Sequence, residues 1–383
     1  MPNRDAAHAL IIACEYPPFP GGTGTYAANM VEQLRAHGVH TVAFVPDYPG
    51  SDLQDSADTI RILGHHQIGL FASFKIANAI RKAPANAIIL AADIRSVLLV
   101  AVAARLTGRK YRSMVHGSEA IKFEKASPLK RIVGWSYKKS EMISCNSQAT
   151  LDTFCRSFGP VSNTKINYLG VDAQWYNPPI GAFDDQKLAA LAGQAQVIIS
   201  VGRVEDRKGQ LETIEILRIA RERYGLSRFT YIVAGRAEND DYVRQVRRAA
   251  EQSSISLYMP GRVSEEDIKR LYERAVCHLL CAQPKSNKIE GFGLVLLEAG
   301  AQRCPSVVTR VGGIPEVVGD GNPLLFAHDD VQGMAFAIAR LASDRSYRKS
   351  CGDAALQRAK RFDWLACAQG TFPELYIPDL GDR

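Results

Sequence analysis

The sequence predicts an α/β protein built from two doubly wound, parallel-sheet domains. Three observations carry that prediction. Short apolar runs alternate with helical patterns of about ten to fifteen residues almost from end to end, the signature of parallel sheets covered by helices. The runs fall into two series. The chain is 383 residues long, too long for one ordinary core and suited to two of comparable size.

The first series is ALIIAC (9–14), TVAFVP (41–46), AIILAA (87–92), RSMVHG (112–117) and MISCNS (142–147). The second is VIISVG (197–202), TYIVAG (230–235), SLYMPG (256–261), CHLLCA (277–282) and PSVVTR (305–310). Helical segments such as Tyr26–His37 and Gln210–Tyr224 lie between them. Near GVDAQWYNPPIGAF (170–183), a Pro-Pro pair flanked by Gly170 and Gly181 interrupts both periodicities as a linker would. The expected division is therefore 1–175 and 176–362. A closing segment, 363–383, carries a helix from about Trp364 to Tyr376 and is expected to cross back to the first domain.

Composition narrows the class. Hydrophobic residues make up 46% and charged residues 23%, as in ordinary globular proteins. The eight cysteines form no C-x-x-C, and several sit in apolar runs, so they read as reduced, mostly buried thiols of a cytoplasmic protein. No apolar stretch approaches the ~18–20 residues of a membrane span, and no basic segment precedes an apolar one near the start. The longest apolar run, Val97–Leu106, has the length of a buried helix.

Charge is uneven. Residues 1–175 hold 19 Lys and Arg against 13 Asp and Glu, whereas the remainder holds 28 against 27. Between Arg105 and Lys139 there are ten basic residues and two acidic ones, Glu119 and Glu124. No interleaved aromatic motif points to nucleic acid. An anionic membrane surface or a phosphorylated acceptor fits the patch, as does a solvated helix face. Within it, Ser127-Pro128 starts a helix whose apolar side (Leu129, Ile132, Val133, Tyr137) is expected on the sheet. Lys130, Arg131, Lys138 and Lys139 fall opposite, with Trp135 among them.

Three segments carry chemistry. Gly21-Gly22-Thr23-Gly24 lies between the first strand and a helix, where backbone N–H groups and the helix dipole can meet an anion or a sugar hydroxyl. A dinucleotide fingerprint is disfavoured: Ala27 replaces its last glycine, and no acidic residue closes the second strand. Next, Arg203 follows the first strand of the second series, and Lys208 begins the next helix. Two cations at a strand's carboxyl end can clamp a diphosphate, although either could simply pair with Glu205 or Asp206. Finally, in KIEGFGLVLLEAG, Glu290 sits in a loop and Glu298 about a turn and a half into the following helix. The amides of Phe292, Gly293 and Leu294 can face a phosphate at its N-terminus. A helix cap at Glu290 and a solvated Glu298 are the plainer reading, but they leave the glycines and the second loop, Gly312-Gly313-Ile314-Pro315-Glu316, unexplained.

Taken together, FPGGTG, GRVEDRKG, PGRV, EGFGLVLLE, GGIPEV and the closing FDWL resemble the family-4 retaining glycosyltransferases of the GT-B class, in family order from Tyr16 to Tyr376. The resemblance implies a GT-B fold of two Rossmann-like domains facing across a cleft, with the donor mainly on the second. It implies that Arg203 and Lys208 hold the diphosphate, Glu298 the ribose, and Glu290 with Gly291 and the following amides the transferred sugar. The main chain at Arg262 and Val263 would meet the nucleobase. Gly22 and Gly24 would approach the phosphate or acceptor, and His116 would stand beside the donor sugar. The other seven histidines, including His65-His66, match no motif.

The activity so implied is retaining, metal-independent transfer of a hexose-type sugar in bacterial glycoconjugate or polysaccharide synthesis. No D-x-D is present; Asn239-Asp240-Asp241 has the wrong form. A UDP-sugar is the favoured donor and GDP-mannose the second. The acceptor is a saccharide, a lipid-linked saccharide or a small molecule, with no separate cofactor and no nucleic acid partner. The enzyme would then work in the cytoplasm, including at the inner face of the membrane. A sugar-nucleotide 2-epimerase and a glycosyltransferase-like scaffold subunit are the rival readings. The sequence leaves the oligomeric state open.

Overall fold

The computed structural model describes residues 8–19, 21–48, 56, 58–64, 70–125, 127–194 and 196–376. His65-His66 and the last seven residues of the closing segment lie outside these. The chain divides into two compact units, Met1–Gly170 with Asp363–Arg383, and Val171–Phe362. The break thus comes five residues before the position read from the Pro-Pro pair.

Unit 1 contains β1 (His8–Ile12), α1 (Gly22–Ala36), β2 (His40–Asp47), β3 (Thr59–Gly64), α2 (Leu70–Lys82), β4 (Ile88–Ala91) and α3 (Ile94–Thr107). It continues with β5 (Arg112–Val115), α4 (Pro128–Lys138), β6 (Met142–Cys145), α5 (Gln148–Phe158) and β7 (Thr164–Ile166). Its seven strands run in the order β3-β2-β1-β4-β5-β6-β7, all parallel. Unit 2 contains α6 (Gln186–Gln194), β8 (Gln196–Val201), α7 (Gln210–Tyr224), β9 (Phe229–Ala234), α8 (Asp240–Gln252), β10 (Leu257–Gly261) and α9 (Glu265–Arg274). Then come β11 (Ala275–Leu280), α10 (Leu294–Ala301), β12 (Ser306–Thr309), α11 (Ile314–Val318), β13 (Leu325–Phe326), α12 (Val331–Ser343) and α13 (Arg345–Ala359). Its sheet runs β10-β9-β8-β11-β12-β13. Both orders place the first strand beside the fourth, so each unit has a point where successive crossovers diverge, the usual ligand crevice of open α/β sheets. Two Rossmann-like α/β domains of the GT-B kind are the result.

Local chemistry sets the elements. β9 and β11 are buried at every position, as central parallel strands covered on both faces must be. Asp93 caps α3 by accepting from Arg95 and Ser96 N–H, while Ser96 Oγ accepts from Asp93 N–H; Gly108, at φ 71°, closes the same helix. Pro128 opens α4 at its first turn. Asn239 caps α8, so the Asn-Asp-Asp stretch is a helix start.

Several expectations change. All ten strands read from apolar runs form, but β3, β7 and β13 were not foreseen. They are polar or only two to six residues long. β2 extends to Asp47, so an acidic residue does close the second strand, and that side chain is exposed. The closing helix (α14, Trp364–Thr371) stops before Pro373 and continues as a 3-10 turn, Pro373–Leu375. It packs within unit 1, where Asn167 Nδ2 donates to Cys367 O at 2.9 Å and Tyr26 Oη lies 3.5 Å from Thr371 Oγ1. Six of the eight free cysteines are buried, and Cys155 and Cys351 are partly so. No described helix is long and apolar enough to cross a membrane.

Candidate active site

In unit 2 the divergence point lies between β8 and β11, and the loops leaving those two strands bring six charged side chains together. After β8, residues Asp206–Lys208 form a single 3-10 turn, with Lys208 N–H donating to Glu205 O at 2.9 Å. Lys208 therefore stands in that turn, ahead of α7. After β11, the loop to α10 carries Lys288 and Glu290.

Glu290 is buried between two cations. Its Oε2 accepts from Arg207 Nη1 and lies 2.7 Å from Lys208 Nζ. Burial alone would raise its pKa, but Lys208 and Arg207 outweigh burial and bring it down to about 2. Glu290 is thus ionised and does not cap α10; Gly293 does. On its other side Arg207 donates to Glu205 Oε1 at 2.8 Å, and Lys288 Nζ reaches Glu205 Oε2 at 2.7 Å. Glu205 is itself buried, which opposes ionisation, yet Arg207 and Lys288 hold its pKa down. Arg203 reaches the same carboxylate at 3.4 Å with its side chain 53% exposed. The pairing of Arg203 with Glu205 therefore occurs, but about half of the Arg203 side-chain surface stays open. Burial lowers the Lys208 pKa, with Glu290 opposing that fall.

The cluster holds four cations (Arg203, Arg207, Lys208, Lys288) against two carboxylates (Glu205, Glu290). It carries a surplus of two positive charges at the carboxyl end of a parallel sheet.

Backbone contacts fix Glu290. Gly313 N–H donates to Glu290 O at 2.9 Å, and Gly312, at φ 58°, lies so near that a Cβ there would sit 2.1 Å from Glu290 O. Only glycine fits that position. The Gly-Gly-Ile-Pro-Glu loop therefore braces the loop that carries Glu290. Gly291 and Phe292 are buried in that stretch, and Gly293, at φ 95°, turns the chain into α10, whose first two amides, at Leu294 and Val295, have no intrahelical acceptor, while Leu296 N–H donates to Gly293 O at 3.0 Å.

Glu298 lies on α10 and is half-buried rather than solvated. Burial first, then Glu265 and Asp172, push its pKa up to about 8, so it is protonated at neutral pH. Arg262 is exposed and Val263 half-buried, immediately beyond β10, two strands from β8.

Unit 1 holds the other candidates. His116 follows β5, and its Nε2 lies 2.9 Å from Ala92 O. A carbonyl can only accept, so Nε2 carries the hydrogen and a neutral ring keeps its lone pair on Nδ1. The Glu119 carboxylate accepts the His116 backbone N–H, and the ring meets Tyr26 edge-on at 5.3 Å. The glycine stretch is not a loop: α1 begins at Gly22, and Gly24 lies inside its first turn. Gly24 is buried, and a Cβ on it would come 3.2 Å from Tyr16 N, so packing against the preceding loop accounts for that glycine. Gly22 is exposed at the helix start.

Arg207 is the residue that sequence reasoning missed. Its partner Glu290 is 83 positions away, so no local pattern announces the pair; adjacency to Lys208 was the only signal. Lys288 was missed for the same reason.

Residues 184–358 match the family described as Glycosyl transferases group 1, and residues 20–175 match Glycosyltransferase Family 4. A GDP-mannose-dependent alpha-(1-6)-phosphatidylinositol monomannoside mannosyltransferase of Mycobacterium tuberculosis is 23% identical, over 96% of this chain and 98% of that protein. A D-inositol 3-phosphate glycosyltransferase of Corynebacterium urealyticum is 32% identical over 48% of this chain and 43% of its own length. Among solved structures, Anabaena HepE with UDP and glucose superposes with a TM-score of 0.74 at 19% identity, covering 96% of this chain and 99% of that one. Sucrose-phosphate synthase from Thermosynechococcus elongatus gives 0.74 at 18%, covering 97% and 98%. At those identities the superpositions speak for the fold.

Proposed function

We propose, starting from the fact that this chain belongs to the family-4 glycosyltransferases of the GT-B class, that it moves a hexose from a nucleoside diphosphate sugar to a hydroxyl acceptor with retention at the anomeric carbon. One observation carries this reading: the surplus of two cations in the Arg203–Glu205–Arg207–Lys208–Lys288–Glu290 cluster. That surplus matches a dianionic diphosphate.

In this reading Arg203, the exposed member, and Lys208 take the diphosphate and stabilise the charge that grows on it as the glycosidic bond breaks. Fixed cations in a site that excludes water contribute several kcal/mol to such a step, about 3–4 for one well-placed group. Lys208 arrives already paired, so the donor shares it with Glu290. Glu290, ionised and braced by Gly312-Gly313, accepts hydrogen bonds from the transferred sugar and faces the positive charge developing on its ring. The α10 N-terminus, with Gly291, Phe292, Gly293 and Leu294, supplies amides to the same group. Glu298, protonated when the site is empty, both donates to and accepts from the ribose hydroxyls. The backbone at Arg262 and Val263 meets the base. In unit 1, His116 and Gly22 serve the sugar and the acceptor. The two spare positive charges of the cluster neutralise the diphosphate, so transfer proceeds without a metal ion.

UDP-sugars head the donors expected from sequence, while relatives aligned along almost the whole chain are named for GDP-mannose and for a phosphatidylinositol-linked acceptor. Both nucleotides therefore belong in the donor screen, and a lipid-linked saccharide joins free saccharides among the acceptors.

The test is Glu290→Gln. Turnover should fall by about two to three orders of magnitude with the fold intact, the loss expected for one group that acts in the transition state. Near-normal turnover in the folded variant refutes the role. Wild-type activity should survive EDTA. Conversion of a donor sugar with no acceptor present would point instead to an epimerase.

A further inference from the structure

Among the described residues, seven of the eleven exposed large hydrophobic side chains lie on three neighbouring helices of unit 1. α3 packs against both α2 and α4, so the three form one layer over the sheet. On α2 the exposed pair is Phe71 and Phe74, 73% and 63% accessible. On α3 it is Val102 and Leu106, one turn apart. On α4 it is Leu129, Ile132 and Trp135, spaced by three. Each helix thus turns an apolar stripe outward in addition to the one it buries. Leu129 and Ile132, expected against the sheet, are 58% and 55% exposed, and of that predicted apolar side only Val133 and Tyr137 are buried.

The surroundings of these stripes are basic. From Leu70 to Lys139 there are 14 Lys and Arg against three acidic residues. Of those three, Asp93 is buried as the cap of α3, Glu119 accepts the His116 N–H, and Glu124 pairs with Arg156 at 2.8 Å. Lys75, Arg105, Arg131, Lys138 and Lys139 remain exposed beside the apolar side chains.

We propose that the α2–α3–α4 face docks on an anionic phospholipid surface, with its aromatic and aliphatic side chains at the depth of the headgroups and its cations on the lipid phosphates. Outward apolar residues flanked by Lys and Arg are the chemistry of interfacial binding. A second copy of the chain fits poorly, because a two-fold contact would lay this basic face on itself. The inference is independent of the donor site, since none of these side chains belongs to it.

Vesicle binding by the full chain tests it, and the protein supplies its own reporter. Of the three tryptophans, Trp175 and Trp364 are buried and only Trp135 is exposed. Vesicles of phosphatidylcholine with phosphatidylglycerol should sediment the protein at low salt, whereas phosphatidylcholine alone should not. Brominated lipid should quench the Trp135 emission and shift it to the blue. Each basic residue near such a leaflet tightens binding roughly fivefold. A Lys130, Arg131, Lys138, Lys139 to Gln variant should therefore bind nearly three orders of magnitude more weakly. Separately, Phe71→Ser with Phe74→Ser should lose the retention that survives high salt. Both variants should keep their activity on a soluble acceptor. Wild-type protein left in the supernatant at low salt overturns the proposal. So does sedimentation without quenching of Trp135, retention of a nucleic acid in place of vesicles, or a dimer that the Phe71 and Phe74 changes dissolve.

Discussion

The two units share a strand order around their divergence points but use them differently. In unit 1 the junction between β1 and β4 is filled by one buried carboxylate beside a partly buried Arg95–Glu15 ion pair at 3.5 Å, with no cation to spare among the described residues. Asp93 Oδ2 accepts Cys14 N–H at 2.6 Å, and Oδ1 accepts Arg95 and Ser96 N–H at 2.9 and 3.0 Å. Every hydrogen bond that Asp93 makes there goes to the protein's own backbone or to Ser96. In unit 2 the same junction, between β8 and β11, holds a chain of ion pairs with cations to spare and one arginine side chain, Arg203, half exposed. The comparison teaches that topology supplies a crevice, and the balance of charge within it separates a structural joint from a ligand site.

The largest effect that can break this comparison comes from Arg207. Its side chain is 4% exposed and links two buried carboxylates, so Arg207→Ala leaves both short of a partner. Removing one member of a buried pair costs about 3–5 kcal/mol. Urea unfolding should show a loss of that size, and donor affinity should fall with it, because Glu290 then draws fully on Lys208. Unchanged stability would mean that the cluster is not held as described.

Asp93→Asn is the matching change in unit 1. It keeps the shape but weakens the cap and the bond to Cys14, and stability should drop by about 1–2 kcal/mol. Nucleotide affinity should stay at the wild-type value. If the nucleotide dissociates more readily from this variant, the distinction between the two junctions fails.

A pH series sharpens the comparison by the smallest amount. Glu290, lowered from 4.5 to about 2, contributes stability that is present above pH 4.5 and lost as pH falls toward 2. Glu298 acts in the opposite sense. Its folded pKa is raised from 4.5 to about 8, so the folded protein holds a proton that the unfolded chain releases, and stability declines as pH rises across that window. Glu298→Gln should flatten the decline between pH 5 and 8. A slope there as steep as in the wild type would show that another group titrates.

The sequence made visible what repeats locally. Apolar runs marked ten strands because parallel strands buried on both faces are continuous hydrophobic stretches. Edge strands escaped notice: TIRILG carries an arginine, TKI is mostly polar, and β13 is only Leu325 and Phe326. Motif spacing picked out Arg203, Lys208 and Glu290, and the fold gathers these three into one cluster. What was hidden depends on distant partners. Arg207 joins the cluster only through Glu290, and the raised pKa of Glu298 comes from burial beside Glu265 and Asp172. On α4 the helical wheel grouped Leu129 and Ile132 with Val133 and Tyr137, but it could not say how much of that face the sheet would cover.

The central claim is that the spare positive charge of the unit 2 cluster binds a diphosphate. Calorimetric titration with nucleoside mono- and diphosphates of the same base, UMP against UDP and GMP against GDP, tests it most directly. For the base it recognises, the wild-type protein should bind the diphosphate at least about tenfold more tightly, since the added phosphate meets Arg203 and Lys208 in charge-assisted hydrogen bonds of roughly 1.5–3 kcal/mol. In Lys208→Met that preference should collapse while the monophosphate binds as before. Equal affinity for mono- and diphosphate in the wild type, or a preference that survives Lys208→Met and Arg203→Gln together, would contradict it.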